Sequence, residues 1–148
     1  MINKKILIID DEPELVKAVE IRLKANGYEV EGAYDGKAGI DKAEKFKPDL
    51  VLLDIMMPGM DGQEVLKKLK ENPETKTIPV IMLSAKSEAG DIVKSLVDGG
   101  ACDYIVKPFF DGEMLRKLKS NINAVEGMTA GLLLDSMETK VREFLNGK

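Results

Sequence analysis

Short, wholly apolar runs alternate along the chain with longer stretches whose apolar residues recur every three or four positions. Ile6-Leu7-Ile8-Ile9, Leu50-Val51-Leu52-Leu53 and Val80-Ile81-Met82-Leu83 are continuous apolar segments of strand length, and Tyr104-Ile105-Val106 is a shorter one. Residues 28–34 add another strand, with Tyr28, Val30 and Gly32 on one face. Each strand is followed by an amphipathic helix. The first carries Leu15, Val16, Val19 and Leu23; Pro13 sits in its first turn, Asp11 or Glu12 caps it, and Gly27 closes it. The second spans 36–46 and ends before Pro48, and the third carries Val65, Leu66 and Leu69 and ends before Pro73. The fourth carries Ile92, Val93, Leu96 and Val97 and stops at Gly99-Gly100; the fifth carries Leu115, Leu118, Ile122 and Val125 and closes at Gly127. Strands that are apolar at every position are buried on both faces. Five strand–helix units therefore predict an α/β fold, a doubly wound five-stranded parallel sheet in a (βα)5 three-layer sandwich. This domain is expected over residues 1–125, with an extension over 126–148.

At 148 residues the chain is the size of one ordinary domain, and 44% hydrophobic with 32% charged residues is the balance of a globular protein. It has no histidine, which removes histidine metal ligands, histidine general bases and a phosphohistidine carrier. The single cysteine, Cys102, removes disulfide frameworks and cysteine zinc clusters, and fits a reducing compartment. A net charge of −4 argues against direct binding of nucleic acid or anionic membrane. No stretch approaches the ~20 apolar residues of a membrane span, and the apolar run after Lys4-Lys5 is too short for a signal sequence. The expectations are a cytoplasmic location, no membrane insertion, and chemistry carried by carboxylates, hydroxyls and lysines.

In an open parallel sheet the ligand site lies beyond the carboxyl ends of the strands. Here the first strand ends in Asp10-Asp11, the third in Asp54, the fourth in Ser84 and the fifth in Lys107. Singly, an Asp or Ser between a strand and a helix is usually a cap, and a lysine there is usually a solvated turn residue. Together they gather three carboxylates, a hydroxyl and an ammonium at one end of one sheet. Two unit charges ~4 Å apart repel by about 4 kcal/mol at an effective dielectric near 20. Three such groups call for a cation, and hard oxygen donors suit Mg²⁺; the same donors accept Mn²⁺. With Ser84 and Lys107 alongside, this is a site for an incoming phosphoryl group, with Asp54 as the nucleophile.

Asp10-Asp11, the loop Asp54-Ile55-Met56-Met57-Pro58-Gly59-Met60-Asp61-Gly62, Ser84-Ala85 and Lys107-Pro108-Phe109, each after its strand, resemble bacterial two-component response regulators in their receiver domain. The resemblance covers about residues 3 to 124 and implies the flavodoxin-like form of the fold. It implies that Asp54 is the phosphoacceptor, taking a phosphoryl group from the phosphohistidine of a sensor histidine kinase or phosphotransfer protein. Asp10, Asp11, Asp54 and the backbone carbonyl of Met56 would bind Mg²⁺. Ser84 would be the switch hydroxyl, Lys107 the partner of the phosphoryl group, and Tyr104 the aromatic switch, against its plain reading as a half-buried strand aromatic. A cis bond before Pro108 is also implied. The switch would reshape the face of the fourth helix, fifth strand and fifth helix, which carries Lys86, Tyr104 and Phe109-Phe110, for a downstream protein partner. Cys102 stands where the family more often has an acidic residue, and reads as a small buried residue.

The extension carries Glu126, Asp135, Glu138 and Glu143 against Lys140, Arg142 and Lys148, which is not the charge of a DNA-binding arm. Asp135-x-x-Glu138 resembles a capping box, and Leu134, Met137, Val141, Phe144 and Leu145 fall on one helical face. This predicts a helix that packs on its own domain, dimerises or docks a partner, or begins a longer chain; a phosphorylation-dependent dimer is among these outcomes. The expected function is that of a single-domain response regulator, a signalling module and not an enzyme in its own right. The alternatives are a phosphorelay intermediate and the N-terminal fragment of a larger regulator. A small aspartyl-phosphate phosphatase uses the same residue types, but haloacid-dehalogenase-like enzymes place the nucleophile on the first strand in an Asp-x-Asp pattern. The first strand here ends in Asp10-Asp11-Glu12.

Overall fold

Five strands form one parallel sheet in the order β2-β1-β3-β4-β5: β1 (Lys5–Ile9), β2 (Glu29–Ala33), β3 (Leu50–Asp54), β4 (Val80–Ser84) and β5 (Asp103–Val106). The helices α1 (Pro13–Ala25), α2 (Gly36–Phe46), α3 (Gly62–Glu71), α4 (Ala89–Lys94) and α5 (Asp111–Gly127) alternate with them, as the hydrophobic pattern predicts. The computed structural model describes residues 4–85, 88–109, 111–127 and 140–146. Lys86, Phe110, Leu134, Asp135, Met137 and Glu138 lie outside the described residues, as does the side chain of Val125.

The alternation of side chains along a strand divides the core into two layers. Ile6 and Ile8, Leu50 and Leu52, Ile81 and Leu83, and Ile105 face α1 and α5, where they meet Val16, Val19, Leu23, Met114, Leu118 and Ile122. Leu7 and Ile9, Val51 and Leu53, Val80 and Met82, and Tyr104 pack on the other face with Val65, Leu66, Leu69, Ile92 and Leu96. All the apolar residues of β1, β3 and β4 are fully buried, which is why their sequences show no alternation.

Helix ends largely follow the sequence, with departures at the first and fourth helices. Asp35 caps α2 by accepting from the Ala38 amide (2.8 Å), and Asp61 caps α3 by accepting from the Glu64 amide (3.0 Å). At α1, Glu12 holds the cap position, one of the two residues expected there, but makes no side-chain cap bond. Its amide donates instead to Asp10 Oδ1 (2.9 Å), and its carboxylate is drawn to Lys107. The fourth helix also differs. It gives way after Lys94 to a π turn over Ser95–Gly99, in which Ser95 Oγ donates back to the Asp91 carbonyl (2.8 Å). The wider turn keeps Ile92 and Leu96 buried but leaves Val97 63% exposed, off the apolar face the 3.6-residue period assigns it.

A further helical segment, α6 (140–145), returns to the domain. Val141 and Phe144 pack on the core, whereas Leu145 is 67% exposed, so the expected apolar face does not extend to it. No helix among the described residues is long and apolar enough to cross a membrane.

Cys102 lies just before β5, buried and without a disulfide partner. Burial pushes its thiol up to about 12. The native protein at pH 8 is therefore expected to react with a thiol reagent at least ~100-fold more slowly than the urea-unfolded chain; absorbance of the released thiolate measures both rates.

Candidate functional site

The turn of strand order lies between β1 and β3, where helices leave to opposite faces and a crevice opens at the carboxyl ends. In the β1–β3 register Ile9 stands opposite Leu53, so Asp10 and Asp54 follow as neighbours on adjacent strands. Both share the strand parity of the α1/α5 side. Asp10 is fully buried and Asp54 nearly so. Asp11 joins them: carboxylate oxygens of Asp10, Asp11 and Asp54 lie within 4.8 Å of one another.

The balancing charge comes from β5. Lys107 follows Val106, which pairs with Ser84, and its amide donates to the Ser84 carbonyl (2.7 Å). The bond between Lys107 and Pro108 is cis, as the resemblance implies. The Lys107 side chain reaches back past β4 to place Nζ 2.8 Å from Asp10 Oδ2, 3.4 Å from Asp54 Oδ1 and 3.2 Å from Glu12 Oε1. By sequence alone Glu12 reads only as a cap; its place directly after Asp10-Asp11 is the available signal for more.

One ammonium does not neutralise this cluster. Burial pushes the Asp54 carboxyl up to about 7, and the charge of Asp10 and the carboxyl of Asp11 act in the same sense; Lys107 only partly opposes them. Burial also raises the Asp10 carboxyl, despite its hydrogen bond from Lys107. Burial disfavours the Lys107 ammonium, but the hydrogen bond and charge of Asp10, with Asp54 and Glu12, outweigh it and raise that group above its ordinary value. The donor set is all oxygen and its negative charge is under-compensated, which fits a hard divalent cation such as Mg²⁺.

Ser84 ends β4 with its Oγ fully buried and, among the described residues, without a hydrogen-bond partner. It has the strand parity of Val80 and Met82, hence of the α3 side, as does Tyr104. Tyr104 is 5% exposed, more buried than a half-buried strand aromatic. The Met56 side chain is 60% exposed in the loop after β3, and a solvated thioether is a poor ligand for a hard cation. Only its backbone carbonyl remains suited to the site.

That loop is fixed at both ends. The Ile55 amide donates to the Leu83 carbonyl (3.0 Å), and the Gly62 amide donates to the Ile55 carbonyl (2.7 Å). A Cβ on Gly62 would lie 2.1 Å from the Asp54 carbonyl oxygen and 2.7 Å from the Ile55 Cα. Only glycine allows this approach, so Gly62 positions the backbone of Asp54. In the sequence Gly62 is part of a loop signal and nothing more, because a backbone contact leaves no periodic trace. Beside Lys107, a cavity of about 500 Å³ opens between α1 and the Pro108-Phe109 turn, lined in part by Glu12, Leu15, Arg22 and Phe109.

Comparison with known proteins agrees with this geometry. The model of the response regulator receiver domain matches residues 6–119, and the chain belongs to that family. A CheY-like receiver domain protein from Methanospirillum hungatei is 33% identical, covering 84% of this chain and 98% of its own, with a TM-score of 0.78. The chemotaxis protein CheY4 of Vibrio cholerae is 31% identical over 80% of this chain and 98% of its own, with a TM-score of 0.76. The receiver domain of a sensor histidine kinase from Pseudomonas aeruginosa is 29% identical, covers 82% and 99%, and has a TM-score of 0.74; its structure holds a magnesium ion coordinated in the active-site cleft.

Two outcomes follow from the geometry. Gly62→Ala must push the Asp54 backbone aside and is expected to lower stability by ~1–3 kcal/mol in urea denaturation. The second concerns pH in the presence of a chelator. The folded-state value for Asp54, about 7, lies above its ordinary 3.8, so the folded protein holds the proton more tightly than the unfolded chain. The associated stability is fully present below pH 3.8 and is lost as pH rises through 7. Asp54→Asn removes this contribution, so its stabilisation relative to wild type should grow between pH 4 and pH 7, reaching on the order of 2–4 kcal/mol. Thermal melts of both proteins across that range measure it.

Proposed function

We propose that this receiver accepts a phosphoryl group on Asp54 from the phosphohistidine of a sensor kinase or phosphotransfer protein, and then signals to a protein partner through the face of α4, β5 and α5. The observation that carries the reading is the joint placement of Asp10, Asp11 and Asp54 within 4.8 Å, with Lys107 Nζ between Asp10 and Asp54. An Asp54 oxygen attacks phosphorus, the phosphorus–nitrogen bond of the donor breaks, and the imidazole leaves. Bound Mg²⁺, or Mn²⁺ in its place, would supply charge neutralisation for the phosphoryl oxygens. Asp10, Asp11, Asp54 and the Met56 carbonyl would hold it. Lys107 would turn part of its charge from Asp10 to the phosphoryl group, and Ser84 Oγ, which has no partner among the described residues, would donate to a phosphoryl oxygen. The magnesium-containing kinase receiver at 29% identity supports the metal, and the cavity beside Lys107 gives a donor a way in. The protein acts as a phosphoacceptor and not as an enzyme turning over an external substrate. The buried free thiol of Cys102 favours a cytoplasmic location.

Acetyl phosphate with Mg²⁺ should add one phosphoryl mass to the wild-type protein. EDTA or Asp54→Ala should abolish the adduct, and Lys107→Ala should slow its formation by ~10-fold or more. Intact-mass spectrometry reads all four. An adduct on Asp54→Ala would place the acceptor elsewhere, and steady hydrolysis of phosphate monoesters would favour a phosphatase.

A further inference from the structure

The β5 and α5 part of the proposed output face is covered by a piece of the same chain. Phe144 of α6 meets Tyr104 edge-on, with ring centroids 5.1 Å apart and planes at 76°. One turn earlier, Lys140 Nζ donates to Asn121 Oδ1 of α5 (2.8 Å) and to the Cys102 carbonyl (3.0 Å), and lies 3.2 Å from Asp103 Oδ2. Asp103 is buried, and its other oxygen lies 3.6 Å from Lys117 Nζ. Val141 and Phe144 complete an apolar strip on the core, while Arg142, Glu143 and Leu145 are exposed. This is helix docking by a basic anchor at one position and an aromatic four positions later.

We infer that residues 140–145 are a resident occupant of this face that favours the unphosphorylated state. Phosphorylation of Asp54 releases them, exposing the face to a partner helix with the same basic-then-aromatic spacing. The inference rests on the phosphoacceptor reading of Asp54. Its physical path is short. Met82 stands opposite Tyr104 and Ser84 opposite Val106, so Ser84 and Tyr104 share one side of neighbouring strands. A Ser84 hydroxyl turned toward a phosphoryl oxygen clears space on that side. Tyr104 then moves in, withdrawing its ring from Phe144 and leaving Lys140 as the remaining anchor. The coupling is reciprocal: if phosphorylation loosens α6, loosening α6 favours phosphorylation. A helix that only shields the sheet's edge strand would respond to neither.

Hydrogen exchange of the 140–146 backbone in the full chain separates these cases. With Mg²⁺ and acetyl phosphate, and the adduct confirmed by intact mass in the same sample, exchange should accelerate at least ~10-fold. Phe144→Ala should exchange fast without phosphate and bind a phosphoryl mimic, beryllofluoride with Mg²⁺, about 3- to 10-fold more tightly than wild type. An adduct with unchanged exchange, or unchanged affinity of Phe144→Ala for beryllofluoride, overturns the release and leaves an edge cover. No adduct on wild type overturns the phosphoacceptor reading, and the release with it.

Discussion

Like charge held at the ends of two adjacent parallel strands is the constraint from which the rest of the site follows. Asp10 and Asp54 are fixed by sheet register and Asp11 by the turn after β1, so none can move away without leaving the fold. At separations near 5 Å each pair of ionised carboxylates repels by roughly 3 kcal/mol at an effective dielectric near 20. Lys107 offsets part of this and Asp54 takes up a proton far more readily than an ordinary carboxyl. The cluster is left short of positive charge, which suits it to a cation that would offset the charge of an anionic phosphoryl donor.

The two sides of the sheet then divide the work. Asp10, Asp54 and Lys107 share the parity of the α1/α5 side, while Ser84 and Tyr104 share that of the α3 side. The division is bridged by the hydrogen bond from the Lys107 amide to the Ser84 carbonyl (2.7 Å), which ties the end of β5 to the end of β4. A change in charge at Asp54 therefore acts on two residues that already touch through the backbone. One of them has an unused buried hydroxyl, a state that costs free energy until a partner arrives. On the proposed function the sheet would carry the effect to its edge, since β5 is the last strand and Tyr104 contacts both the Lys117 ammonium, 4.2 Å from its ring centroid, and Phe144.

The parts of this arrangement that depend on periodicity were legible in the sequence. Four of the five strands are unbroken apolar runs, and the chemistry-bearing residues stand directly after them, so the sheet and the gathering of Asp10, Asp11, Asp54, Ser84 and Lys107 could be read together. What escaped depends on contacts between distant positions or on the backbone. Gly62 matters because of the Asp54 carbonyl it approaches, not because of its neighbours in sequence. Glu12 looked like a cap because capping is local, and Lys107, 95 residues away, draws its carboxylate elsewhere. The pairing of Lys140 with Asp103 and Asn121 joins three elements whose sequences give no hint of one another.

The central claim is that Asp54 alone, among the clustered carboxylates, receives the phosphoryl group. Borohydride reduces an acyl phosphate to an alcohol, so trapping the acetyl phosphate-treated protein and fragmenting its peptides reads the acceptor directly. The account predicts a single reduced carboxyl, at position 54, formed only with Mg²⁺ present. Reduction at Asp10, Asp11 or Glu12, or no reduced carboxyl in a protein whose mass shows the adduct, would contradict it.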